Sequence, residues 1–273
     1  MARRATHGWL WALVVAAALP AGAPANASDL YTMRTVTSGT AEPRRAIGFA
    51  QCFRDVLVRV SGDQRLLDEP LVAEQASHAG DLVASYSFRD RLAGIPIHDE
   101  QGSYDRPHDL ACVFDPAKLD AFLERLGRKP WLVRPRLVAA IAIRDMKGAE
   151  YLLASDSRGG RDEDMRAALA AAADRLALPL VLPSLQQLSR AGIVADGTAS
   201  DGRLGALATS AGTDLALSGK MVWSDAALGW VADWRLASSG TVRHWEIRGV
   251  GFDDAFRDGV AGAAQVLSGN GEP

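Results

Sequence analysis

Apolar residues recur at helical spacing over residues 46–60, where Ala46, Phe49, Ala50, Phe53, Val56, Leu57 and Val60 fall on one side of a single helix. Gly62, behind Ser61, supplies the left-handed residue that closes such a helix. Around it the pattern predicts a strand over 29–36, a helix opened by Asp68-Glu69-Pro70 and carried by Leu71, Val72, Ala76, Ala79, Leu82 and Val83, strands over 86–92 and 108–114, and a helix over 115–126. Asp115-Pro116 starts that last helix and Gly127 ends it. Residues 28–128 therefore read as a small α+β domain.

Pro130 and Pro135 interrupt any regular element and mark a boundary. Beyond it, 136–143 is a near-continuous apolar run, as expected of a strand covered on both faces. A partner strand over 151–154, a helix over 162–178, a short strand over 180–182 and helical turns over 185–190 and 203–211 follow. The period then switches to two, which predicts a three-strand meander over 215–223, 230–236 and 242–247, and a last helix brings Phe252, Ala255, Phe256, Val260, Ala263, Ala264 and Leu267 to one face. Residues 131–268 thus form an α/β unit, 269–273 a tail, and the whole chain a mixed α+β / α/β fold.

Composition changes this picture at the amino terminus. Arg3 and Arg4, an apolar run from Trp9 to Leu19, and Ala25-Asn26-Ala27 read as a secretory signal over 1–27, cleaved between Ala27 and Ser28. The run is too short to span a bilayer, so no membrane span is expected after its removal, and the address is the periplasm. The chain carries a formal net charge of −3, and losing a leader with two Arg and no acid makes it more acidic. Nucleic acid is thereby disfavoured as a partner, because phosphate binding needs a dense basic patch.

Familiar catalytic signatures are missing. No His-Glu-x-x-His and no Gly-x-Ser-x-Gly occurs, Gly219-Lys220 lacks the rest of a phosphate loop, and Gly249-Val250-Gly251 lacks the third glycine of a dinucleotide fingerprint. The densest polar cluster spans 98–109, where His98, Asp105 and His108 are the candidate metal ligands; the competing reading is a solvated loop between two strands. No catalytic set and no cofactor is assigned. Trp223, Trp230, Trp234 and Trp245 lie in the meander and read as packing under the last helix rather than as a binding platform. Cys52 borders the inner stripe of the organising helix and Cys112 shares a strand face with Leu110 and Phe114. If that helix lies across that strand the two thiols could pair, and otherwise both are buried free thiols.

Val56-Leu57-Val58-Arg59-Val60-Ser61-Gly62, behind the leader and an early strand containing Tyr31, resembles bacterial domain-of-unknown-function family 2066. The second unit is similar, in outline, to the amino-terminal domain of TolB and to CsgG-like envelope proteins. The first resemblance implies location and architecture without an activity. The second implies envelope assembly through protein contacts. The reading that follows is a soluble, non-enzymatic periplasmic protein that binds another cell-envelope component, an envelope protein being the favoured kind; the alternative is a periplasmic hydrolase or metal-binding protein built on 98–109.

Overall fold

The computed structural model describes residues 27–95 and 105–273. Nearly all of the expected signal segment, and His98 with the middle of the polar loop, lie outside the described residues. Ala27, at the expected cleavage point, begins a single helical turn, α1 (Ala27–Leu30).

The first unit is a three-stranded antiparallel sheet of β1 (Thr32–Ser38), β2 (Val83–Asp90) and β3 (Pro107–Phe114), with β3 in the centre. Helix α2 (Glu42–Ser61) lies across it. Its apolar stripe forms it and seats it: Phe53, Val56, Leu57 and Val60 are fully buried, with Leu110, Cys112 and Phe114 of β3 in the same core. Gly62 (φ 76°) closes α2 in the left-handed conformation, its N–H donating to the Val58 carbonyl. Helix α4 (Pro116–Arg125) is capped by Asp115, whose carboxylate accepts from the N–H groups of Ala117 and Lys118.

The helix expected from Asp68 through Val83 is shorter. A 3-10 turn over Gln64–Asp68 precedes α3 (Pro70–Ala76), a second 3-10 turn covers Ala79–Leu82, and β2 takes over at Val83. The apolar period continues through Leu82, but Gly80 lies beneath the Phe49 ring and Val83 pairs with Phe114, so the sheet claims these residues from the helix.

In the second unit, the meander of β7 (Leu215–Ser224), β8 (Gly229–Ser238) and β9 (Thr241–Val250) continues into a six-stranded sheet. Strand β4 (Leu137–Arg144) pairs parallel with β7; on its other edge β5 (Glu150–Leu153) runs antiparallel and β6 (Leu180–Val181) parallel, end to end. The apolar run of β4 is buried on both faces. Helices α5 (Gly160–Arg175) and α8 (Phe252–Leu267) cover one face, and α6 (Leu185–Arg190) and α7 (Asp201–Ala211) the other. The indole of Trp234 fills the layer between sheet and α8, held between Gly219 and Gly259, where any Cβ would strike the ring. Trp245 sits against Gly262 in the same way, so these rings pack as the strand alternation predicts. Both sheets with their helices make the fold α+β mixed, in agreement with the sequence pattern.

Candidate functional site

Where the two units meet, the end of α2 is the hinge pin. Ser61 Oγ donates to the Leu57 carbonyl and accepts from the Asp63 N–H, turning the chain at Gly62. Asp63 is fully buried beneath Arg65 (3.0 Å) and Arg128 (2.8 Å). Burial pushes its carboxyl upward, but the hydrogen bonds from the two guanidinium groups outweigh that and hold it below the usual carboxylate range. The carboxy-terminal end of the chain returns to this turn: Asn270 donates to the Ser61 carbonyl at 2.9 Å, and Ser268 packs on Gly62. The segment that carried the family resemblance is thus a structural joint.

Arg134 is the second fastening. Its guanidinium stacks on Trp131 at 4.4 Å and donates to three main-chain carbonyls, those of Arg59 (2.6 Å), Trp131 (3.0 Å) and Leu176. Two of these carbonyls lie at the ends of α2 and α5, where the negative poles of the helices substitute for a carboxylate partner. Burial first, and then the neighbouring Arg59 cation, bring Arg134 down to about 10. Arg59 itself donates to the carbonyls of Asp174 (2.8 Å) and Arg175 (3.2 Å) at the end of α5.

Two clefts flank this joint and share one wall, the ion pair of Asp55 on α2 with Arg175 on α5. One, of about 490 Å³, is lined by polar groups including Asp29, Thr32, Arg34 and Arg59. The other, of about 520 Å³, has apolar walls: Val58 and Leu67 from the first unit face Leu176, Ile247, Val250 and Ala261 from the second. Its rim holds Gln64, Asp254 and Arg257, and one side is formed by Asp258 of α8. Arg257 is paired with Asp254, and Asp55 takes Arg175 together with the Gln51 amide. Asp258 differs: one carboxylate oxygen is buried without a hydrogen-bond partner, and burial raises its pKa to about 6. An acid with a raised pKa lining a cleft of this size makes Asp258 the candidate functional group here.

Of the candidate ligands and cysteines singled out from the sequence, those among the described residues lie elsewhere. Asp105 pairs with Arg44 at 3.1 Å, while His108 places Nδ1 2.7 Å from the Arg106 carbonyl and its ring edge-on to Phe88. Each has its own local partner, and among the described residues no group of three or more His, Cys, Asp or Glu side chains gathers as a metal site. Cys52 and Cys112 are joined by a disulfide, with Cα atoms 6.4 Å apart and both residues fully buried. Asp258 and Arg134 were not singled out from the sequence. The available signal for Asp258 was an acid late in an amphipathic helix with another acid, Asp254, four residues before it and Gly262 four after, so that no helical neighbour compensates it.

Fold and clefts define a two-sheet α+β protein with two clefts beside the junction of its units. In comparison with known families, residues 25–132 match a Domain of unknown function (DUF8605). That agrees with a first unit of unknown function, but the match is not to family 2066, nor is a TolB relationship found. No curated protein and no solved structure matches the chain. Among the described residues, no helix is long and apolar enough to cross a membrane.

Proposed function

We propose that the chain is an exported, non-catalytic periplasmic protein that binds another protein of the cell envelope at the junction cleft. The observation that carries this reading is the cleft itself. Its walls come from both units, and the joint around Arg134, Arg59, Gly62 and Asn270 holds those walls in place, so the surface is pre-organised for a partner. The basic-apolar-small leader and the buried disulfide support an oxidising destination. The ionic groups of the cleft are arranged as two ion pairs and one lone acid, without a nucleophile and base in hydrogen-bond contact, which favours binding over chemistry.

A photo-crosslinking residue in place of Leu67, which lies in the cleft wall and is 42% exposed, tests the proposal in intact cells. The expected outcome is one discrete crosslinked species from Leu67 and none from Val194, an exposed residue between α6 and α7 on the far face of the sheet. Equal labelling from both positions, or none from Leu67, overturns the proposal.

A further inference from the structure

We infer that the junction cleft takes a lysine or arginine side chain of the partner protein, its aliphatic stem against Val58, Leu67, Leu176 and Ile247 and its cation on Asp258. The inference rests on the function proposed above and adds the chemistry of the contact.

Charge accounting within the cleft leads to it. Five ionic side chains line the cavity: Asp55, Arg175, Asp254, Arg257 and Asp258. Arg175 is taken by Asp55 and Arg257 by Asp254, so both cations are neutralised in place. One negative charge is left over, and it belongs to the group whose oxygen is buried and unpartnered. Asp258 lines the cavity, and an incoming ammonium or guanidinium supplies the charge it lacks. An anionic group would meet an uncompensated carboxylate, and a purely apolar one would leave that charge without a counter-ion. The walls impose the second requirement. Beyond the rim the lining is aliphatic, which matches the methylene stem that Lys and Arg lay along apolar surface while the charged head reaches a polar partner. A cleft of about 520 Å³ exceeds one such side chain, so its apolar neighbours in the partner enter with it.

Two measurements on the full chain test this. In the first, the species crosslinked through position 67 is digested and the attached peptide sequenced by mass spectrometry, in the wild-type background and with Asp258→Asn or Asp258→Glu. The attachment point should fall within a few residues of a Lys or Arg, with yield down about tenfold in Asp258→Asn and largely retained in Asp258→Glu, the loss corresponding to about 1.4 kcal/mol. A crosslink that forms normally but attaches to a segment without Lys or Arg, or is indifferent to Asp258→Asn, overturns the cationic occupant while leaving the binding function standing. Absence of any crosslink at position 67 removes both. In the second, hexylamine, hexan-1-ol and hexanoate are titrated into the purified protein and followed by amide chemical shifts of the cleft residues. Hexylamine should bind about tenfold more tightly than either analogue, lose that preference in Asp258→Asn, and keep it in Glu150→Gln, which removes an acid from the distant β5 edge. Equal binding of all three, or a preference that survives Asp258→Asn, shows that the cleft does not select a cation. Self-association of the protein at high concentration that depends on Asp258 would make a second copy the occupant and would also overturn the inference.

Discussion

At the residue scale, Asp258 makes a claim about pH. An acid whose pKa rises from the ordinary 3.8 to about 6 on folding binds a proton more tightly in the folded chain than in the unfolded one. Stability therefore falls as pH climbs between those values, and is level with respect to this group on either side. Charged groups around it, Asp254 and Arg257 on α8, Arg175 on α5 and Asp55 on α2, are engaged with one another, and Gln64 of the 3-10 turn is neutral. Asp258→Asn removes the titration while keeping the shape. The variant should match the wild type in urea denaturation at pH 3.5 and exceed it at pH 7.5, with the gap opening between about pH 4 and pH 6. A gap that is constant across that range would mean that Asp258 is solvated after all.

At the element scale, α2 carries the first unit. Phe53 is fully buried, edge-on to Phe122 at 5.4 Å and tilted against Phe114 at 6.5 Å, so it bridges α2, β3 and α4. Phe53→Ala should cost roughly 3 to 5 kcal/mol in equilibrium denaturation, since truncation leaves a cavity that three elements together cannot collapse; a loss below about 1 kcal/mol would put the ring at the surface. The stripe from Phe49 to Val60 was legible in the sequence because a helix buries one face at a fixed period, and the alternation of β7 and β8 was legible for the same reason at period two. The parallel pairing of β4 with β7 was not. It joins strands separated by two helical layers of chain and leaves no local mark, only the two-sided burial of β4. Nor was the end of α3 legible, where helical spacing at Ala79 and Leu82 persisted while β2 pairing decided the conformation from Val83. The site was missed for a related reason. Asp258, Arg134 and Leu67 come from three distant segments, and a lone acid shows its lack of a partner only once the neighbours are in place.

At the scale of the whole molecule, two fastenings act at different levels. The Cys52–Cys112 disulfide ties α2 to the central strand β3 across a separation of 60 residues. In the chain-entropy account a loop of that length stabilises by about 4 kcal/mol. Protein denatured without reductant should therefore show no alkylated cysteine in its intact mass, and two after reduction; two without reductant would show the bond absent. The second fastening couples the units. Val58 of α2 sits in the core of the six-stranded unit, Ala177 sits against the core of the first, and Arg134 holds the carbonyl ends of α2, α5 and the linker together. With each sheet unable to shed its neighbour without exposing core, the wild type should melt in one calorimetric transition whose van't Hoff and calorimetric enthalpies agree. Arg134→Met keeps the length and apolar stem of the side chain but leaves the carbonyls of Arg59, Trp131 and Leu176 without their donor, at about 1 to 3 kcal/mol for a buried unsatisfied group. That loss falls on the joint rather than on either core, so the single transition should broaden or split, with hydrogen exchange accelerating first around residues 59–62 and 174–177. Arg134→Lys should recover part of the coupling, because an ammonium can reach one or two of the carbonyls but cannot fork to three while stacking on Trp131. If Arg134→Met only lowers the midpoint of an otherwise unchanged single transition, the two units are held by their shared apolar contacts, and the cleft walls owe their fixed spacing to Val58 and Ala177 instead of to the guanidinium.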